Sequence, residues 1–343
     1  MKIALITTTI NIPGVLALYR RFDPSASVRF FVTTDLKTPS AAVMFLERLG
    51  NCHVVSRTDY KCEQVIGWNS IQRRNLALLE ALRWGADIIV SIDDDNIPLD
   101  PNYFTAFTRL RDIPFSGLKT DLKPGSWFDV GTLLTPPATH RGFPTCDPKL
   151  GEDISDRFTH VVDVKIGVAA GMVLGDPDTS AVERIAKRPN VHGVSEILKS
   201  GIVVDPKTHT VFNSQNTAII RELAPAWSMW CGVQRYDDIF ASLMVQRVMR
   251  DRHYHVHFGR PFVYQQRNTH DLPRDLAGEL WGMQNIVNVA EAIDAVVLPQ
   301  PATGQSTVIE DTRTIFNSLR SLVPNQTVEA GLAFLEDCET VMG

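Results

Sequence analysis

The first hundred residues alternate between two hydrophobic patterns, and that alternation limits the fold more than any other property of the chain. The stretches KIALITTTI, SVRFFVTTD, CHVVS and ADIIVSI have the short, apolar, β-branched character of buried strands. Between them, PGVLALYRRF, PSAAVMFLERLG and SIQRRNLALLEALRWG carry helical spacing, with Pro13 suited to a first turn and Gly50 and Gly85 to helix ends. Strand and helix in this order predict an α/β sandwich with a mostly parallel central sheet. Ligands of such sheets bind beyond the carboxyl ends of the strands. Three strands end there in polar residues: Thr7 to Thr9, then Thr33, Thr34 and Asp35, then Asp93, Asp94 and Asp95. They are expected to converge on one crevice.

With 343 residues, 44% of them hydrophobic and 21% charged, the chain can bury a substantial core and shows no low-complexity tract or internal repeat. From about Pro101 to Ser200 the pattern is irregular and rich in Pro and Gly, which predicts long loops over a site. A strand-like VVDVKIGVAAGMVLG and a helix-like TSAVERIAKR follow within it, and later a helix, YDDIFASLMVQRVMRDR, and a strand, YHVHFG. Three helical patterns occupy the chain beyond Asp271, so residues 1–270 are expected to form the main domain and 271–343 a helical C-terminal extension. The net charge of -5 argues against a globally basic nucleic-acid binder, although a local basic groove is compatible with it. Five scattered cysteines without a C-x-x-C pair suit a reducing compartment. The N-terminal apolar run, broken by Thr7 to Thr9, reads as a strand and not a signal peptide, and no run approaches the roughly 20 residues of a membrane span. A cytoplasmic protein without a membrane partner is the expectation.

Three adjacent carboxylates after a buried strand make a hard, oxygen-rich site for Mg2+ or Mn2+, which would neutralise a diphosphate; a solvated acidic turn is the alternative. Without a cation their mutual repulsion raises one or more of the pKa values. On the preceding helical pattern Gln72 and Asn75 fall on the sheet-facing stripe and need polar partners, while Arg73 and Arg74 can reach an anion or stay solvated. A second acidic pair, Asp237 and Asp238, opens a helix, where it serves as a cap or supplies a general base. Alternation places His253, His255 and His257 on one strand face, near Arg247, Arg250, Arg252 and Arg260, as a polar face, a metal site or a basic groove. No H-E-x-x-H, P-loop, G-x-S-x-G or G-x-G-x-x-G motif occurs.

A strand ending in IDDD after an α/β half, with a later acidic helix start, resembles the GT-A nucleotide-sugar glycosyltransferases. The blocks RGFP, GMVLGDPDTSA, FNSQNTAI and QRYDDIFASL are similar to those of the plant reversibly glycosylated polypeptides and the STELLO-type proteins, over about residues 2–275. That resemblance implies a Rossmann-like GT-A sandwich, a UDP-sugar donor and a divalent cation, Mn2+ or Mg2+. Carried over residue by residue, it implies a donor-binding set of Thr7, Thr8, Asp35, Arg74, Asn75, Asp93 and Asp94. Asp93 and Asp95 would hold the metal, with His270 as third contact and His257 as its rival, and Asp237 and Asp238 would face the acceptor. The family's REG segment, whose arginine takes up sugar, is missing; CDPKLGED follows RGFP instead. The chain also resembles phage glycosyltransferases associated with TET/JBP-type oxygenases. This implies transfer to 5-hydroxymethylcytosine or a related pyrimidine in DNA, in the host cytoplasm, with the segment from Arg247 to Arg260 on phosphates. A UDP-sugar mutase and a non-catalytic nucleotide-sugar-binding subunit are the competing expectations.

Overall fold

The computed structural model describes residues 1–145, 157–267, 271–300 and 307–343. Ten strands form one sheet: β1 (Ile3–Thr9), β2 (Arg29–Thr34), β3 (Cys52–Val55), β4 (Ile88–Ile92), β5 (Asn96–Pro98), β6 (Phe115–Thr120), β7 (Phe158–Gly175), β8 (Ile202–Val204), β9 (Asn216–Ile220) and β10 (Tyr254–Gln265). Their order is β3-β2-β1-β4-β9-β7-β6-β8-β10-β5. The α/β sandwich expected from the first hundred residues is present, and its first four strands are all parallel. Every residue of β1 and β4 is buried, as strands covered on both faces must be. β9 then enters antiparallel between β4 and β7, and the eighteen-residue β7 pairs with β6 along its first half and with β10, in parallel, along its second.

The helix Arg74–Trp84 covers one face and ends on Gly85 in the left-handed conformation at φ 82°. A 3-10 turn, Ile71–Arg73, precedes it. The expectation of loops after Pro101 is corrected in part, because Tyr103–Asp112 is a helix whose Tyr103, Phe104, Phe107 and Leu110 are buried against the other face. Their i, i+1, i+4, i+7 spacing is helical, but the Pro and Gly that follow obscure it. His253 is also misplaced by the alternation: it sits before β10 at φ 57°, so it shares no strand face with His255 and His257.

Three C-terminal helices, Leu272–Asp294, Val308–Ser318 and Asn325–Met342, pack into the same core as the sheet. Trp230 stacks on Phe240 at 5.4 Å and meets Phe316 at 5.6 Å, while Phe334 and Leu335 are fully buried in the same cluster. Among the described residues no helix is long and apolar enough to cross a membrane.

Candidate active site

Asp93, Asp94 and Asp95 lie in the turn that leaves β4 in the middle of the sheet and enters β5 at its far edge. Gln215 fixes this turn, its carbonyl accepting from the Asp93 amide at 3.3 Å and the Asn96 side chain at 2.8 Å. Each carboxylate has a different neighbour. Arg74 donates to Asp93 at 2.7 Å, the Thr9 hydroxyl donates to Asp94, and the Gln265 amide donates to Asp95 at 3.3 Å. Burial raises the pKa of Asp94, opposed by the Thr9 hydrogen bond, and Asp93 adds to the rise. Burial and then the Asp93 charge push Asp95 up to about 6. The corner holds more negative charge than its protein neighbours balance. Among the described residues no three His, Cys, Asp or Glu side chains gather to hold an ion by themselves. Two half-buried carboxylates opening on a cleft nonetheless suit Mg2+ or Mn2+, which take one or two carboxylates, substrate phosphates and water.

The cleft has a volume of about 670 Å3, and the second acidic pair also lines it. The helix Asp237–Arg250 starts there, but neither acid caps it through its side chain in the ordinary way. Asp238 accepts from the Ser214 amide at 2.9 Å, the Ser214 hydroxyl at 3.0 Å and Arg141 at 3.2 Å. Arg141 also grips Asp178 through two parallel bonds of 3.0 and 2.7 Å. Burial would raise Asp178, but Arg141 overrides it and holds the carboxyl well below the usual range. Gly142 lets the Arg141 turn seat this closely, since at φ 95° a Cβ would stand 2.4 Å from Ile239. Asp237 is left with the Gln72 amide at 2.9 Å and the Asp238 amide at 3.0 Å. Burial, and then the Asp238 charge, push Asp237 up to about 7, against the pull of Arg141.

Arg267 adds a buried guanidinium to the same cleft. Its side chain is 7% exposed, it meets the Asp176 carboxylate at 3.8 Å and donates to Gln265 Oε1 at 3.2 Å, and its Nε has no hydrogen-bond partner among the described residues. Burial lowers its pKa against the pull of Asp178 and Asp176, which marks a cation short of an anionic partner. Arg141 Nη1 and Arg74 Nε are likewise buried without partners among the described residues. Arg274, exposed, and Arg235, held by Asp275 and Glu279, line the cleft from the side of the C-terminal helices.

Of the candidates named from sequence, Thr8, Arg74, Asp93, Asp94, Asp95, Asp237 and Asp238 line this one cleft. Thr7 is buried inside the sheet and does not line it. Asp35 is engaged elsewhere, accepting from the amides of Leu36, Asn69 and Ser70, so it shapes the loop at the cleft edge instead of facing it. Asn75 binds both the amide and the carbonyl of Met229 and anchors that wall. Arg73 is neither solvated nor at the cleft: it is fully buried, stacks on Trp68 at 3.8 Å and bonds Glu63 and the Ser56, Gly67 and Thr34 carbonyls. His270 lies outside the described residues. His257 is not with the aspartates; it lines a separate cavity of about 750 Å3, and burial pushes its imidazole down to about 4. The arginines expected to form a basic groove are each ion-paired. Arg247, Arg250, Arg252 and Arg260 are paired with Asp251, Asp294, Asp311 and Asp100 respectively. Sequence reasoning assigned no role to Arg141, Asp178, Ser214, Gln265 or Arg267, although the first three fall in the blocks RGFP, GMVLGDPDTSA and FNSQNTAI.

No protein-family profile matches the chain, and no curated protein sequence matches it. Among solved structures it is similar to the mannosyltransferase PcManGT from Pyrobaculum calidifontis in complex with GDP-Man and Mn2+. The identity is 14%, with 99% of this chain and 86% of that chain covered and a TM-score of 0.40. It is also similar to S. aureus TarS 1-349 in complex with UDP-GlcNAc, at 13% identity over 100% of this chain and 90% of that chain, with a TM-score of 0.42. Likeness at this level says nothing about chemistry, which rests on the residues above.

Proposed function

We propose that the cleft binds a nucleoside-diphosphate sugar together with Mn2+ or Mg2+ and transfers the sugar to an acceptor hydroxyl. One observation carries the reading: under-balanced carboxylates, an under-paired buried arginine and a carboxylate raised toward neutrality line one cleft. Asp93 and Asp95 would hold the cation. When bound, it supplies charge neutralisation for the diphosphate as the glycosidic bond breaks. Arg267 and Arg74 are placed to bind diphosphate oxygens, and Thr8 lies on the donor side beside the aspartate turn. Asp237 is the general base in this reading, because it lines the cleft, its side chain is bound by the Gln72 amide, and burial and the Asp238 charge raise its pKa to about 7. Asp238, engaged by Arg141 and Ser214, keeps that wall in register. The acceptor oxygen forms a bond to the anomeric carbon, the carbon–phosphate oxygen bond breaks, the hydroxyl proton goes to Asp237 and the diphosphate leaves. Direct attack of this kind inverts the anomeric centre.

The finer reading, a hydroxymethylpyrimidine in DNA as acceptor, needs a flipped base at Asp237 and phosphate contacts from Arg274 and the cleft mouth, since the Arg247 to Arg260 segment is engaged internally. The deciding experiment mixes the protein with Mn2+, a panel of UDP- and GDP-sugars, and DNA with or without 5-hydroxymethylcytosine. Release of nucleoside diphosphate that requires Asp95 supports the glycosyltransferase. A nucleoside that gains the mass of a sugar supports the DNA acceptor, a ring-isomerised donor supports a mutase, and binding without turnover supports a non-catalytic subunit.

A further inference from the structure

We propose that Ser70 and Gln72 are positioning residues that form a two-state hydrogen-bond relay with Asp237, in which proton uptake by Asp237 turns the Gln72 amide over and frees the Ser70 hydroxyl toward the cleft. The proposal rests on the reading of Asp237 as the base, but the relay is measurable without any turnover.

Gln72 stands on the 3-10 turn that precedes the helix Arg74–Trp84, and Ser70 borders the cleft two residues earlier. The Gln72 Nε2 donates to Asp237 Oδ2 at 2.9 Å, while its Oε1 accepts from the Ser70 hydroxyl at 2.5 Å. Asp237 Oδ1 takes the Asp238 amide at 3.0 Å, so Oδ2 is the oxygen free to gain a proton. A carboxylate accepts only, so as long as Asp237 is ionised the amide must present its NH2 group, and the single Ser70 proton must go to Oε1. A carboxylic acid reverses each demand. Oδ2–H then donates to Oε1, the turned NH2 group donates to Ser70 Oγ, and the Ser70 proton points into the cleft. Both arrangements contain two hydrogen bonds along the chain, so neither protonation state leaves an orphaned buried group, but the bond from Gln72 to the ionised carboxylate is charge-assisted and is the stronger of the two it makes to Asp237. No proton passes through Gln72; the proton from the acceptor ends on Asp237 and the amide only rotates.

Charged and titratable groups face Asp237 from each element packed against it. Asp238 follows it on its own helix, Arg74 comes from the opposing helix, and Arg141 with Asp178 behind it comes from the preceding wall. Arg235 is held by Glu279 and Asp275, and burial pushes the Cys231 thiol up to about 12. The amide of Gln72 is the mobile polar partner that Asp237 addresses.

The test uses the full chain labelled with [4-13C]aspartate, with the Asp237 carboxyl signal assigned by its loss in Asp237→Asn. Gln72→Met removes the donor to the carboxylate and is expected to raise the Asp237 midpoint by about one pH unit, a tenfold change in proton affinity. Ser70→Ala removes one neutral hydrogen bond from each arrangement and is expected to move the midpoint by less than Gln72→Met does. The Gln72 side-chain NH2 signals of the parent protein should titrate with the same midpoint. A Gln72→Met midpoint that stays in place, a Ser70→Ala shift as large as that of Gln72→Met, or NH2 signals that ignore the titration overturn the relay. If the carboxyl midpoints move as expected but the acid limb of sugar transfer does not follow them, the relay stands and the assignment of the base fails.

Discussion

Asp95 is the least engaged of the three corner carboxylates, with a long hydrogen bond from Gln265 where Asp93 has a guanidinium and Asp94 a hydroxyl. It is accordingly the group a cation would gain most from. Asp95→Asn should keep the fold, melt slightly higher than the parent in chelator because a repulsion is gone, and lose about 100-fold in nucleotide release with Mn2+. Thermal melts and a coupled nucleotide assay check both parts. Asp237 gives a prediction with a sign. Its folded pKa, about 7, lies above the value of about 3.9 for an unfolded aspartate, so the stability it contributes is fully present below pH 4 and is lost as pH rises toward 7. Asp237→Asn should then be more stable than the parent at pH 8 by about 1 to 2 kcal/mol, allowing for coupling to Asp238, with no gain at pH 4. The same substitution should abolish transfer, and the parent's rate should fall below pH 7 as the base takes up its proton. Urea titrations at the two pH values and a pH-rate profile measure these outcomes.

The helix Lys61–Ile66 shows how an element near the cleft is set by another far away in the chain. Its first amides, Lys61 and Cys62, are capped at 3.0 and 2.9 Å by Asp337 from the helix Asn325–Met342. The loop that follows holds Asn69 and Ser70 at the cleft edge, where Asp35 takes their amides. Asp337→Ala should cost about 1 to 2 kcal/mol, the usual value of a lost cap, and should raise the KM for the nucleotide sugar more than it lowers kcat. Elements were legible where burial on both faces leaves continuous apolar runs, as in β1 and β4, and where caps are local, as in the Thr307 to Glu310 capping box. The aspartate corner was legible for a similar reason, because three of its members are neighbours in the chain. Arg141 and Asp178 were not, because Arg141 meets Asp178 and Asp238 at 37 and 97 positions' distance in the chain and no spacing rule records such contacts. The acidic pair at the helix start read as a cap before it read as a base. Only the partners of each oxygen separate Asp237, bound by the Gln72 and Asp238 amides, from Asp238, held by Arg141 and Ser214.

At the scale of the molecule, the C-terminal helices are part of the core that supports the site. Phe334 lies in the same cluster as Trp230, Phe240 and Leu79, and Glu279 ties Arg235 to the amide of Ala181. Phe334→Ala should cost about 3 to 5 kcal/mol, the range for emptying a large buried site, and chemical denaturation should still show a single transition because sheet and helices unfold together. The aspartate turn has a wider consequence. It is the short span by which the chain steps from β4, the last of the N-terminal parallel strands, to β5, at the opposite margin beside β10. An ion seated in that span would work as a rivet between two flanks of the sheet, and losing it would let them slacken against each other. Donor capture and the stiffness of the whole scaffold would then be one event.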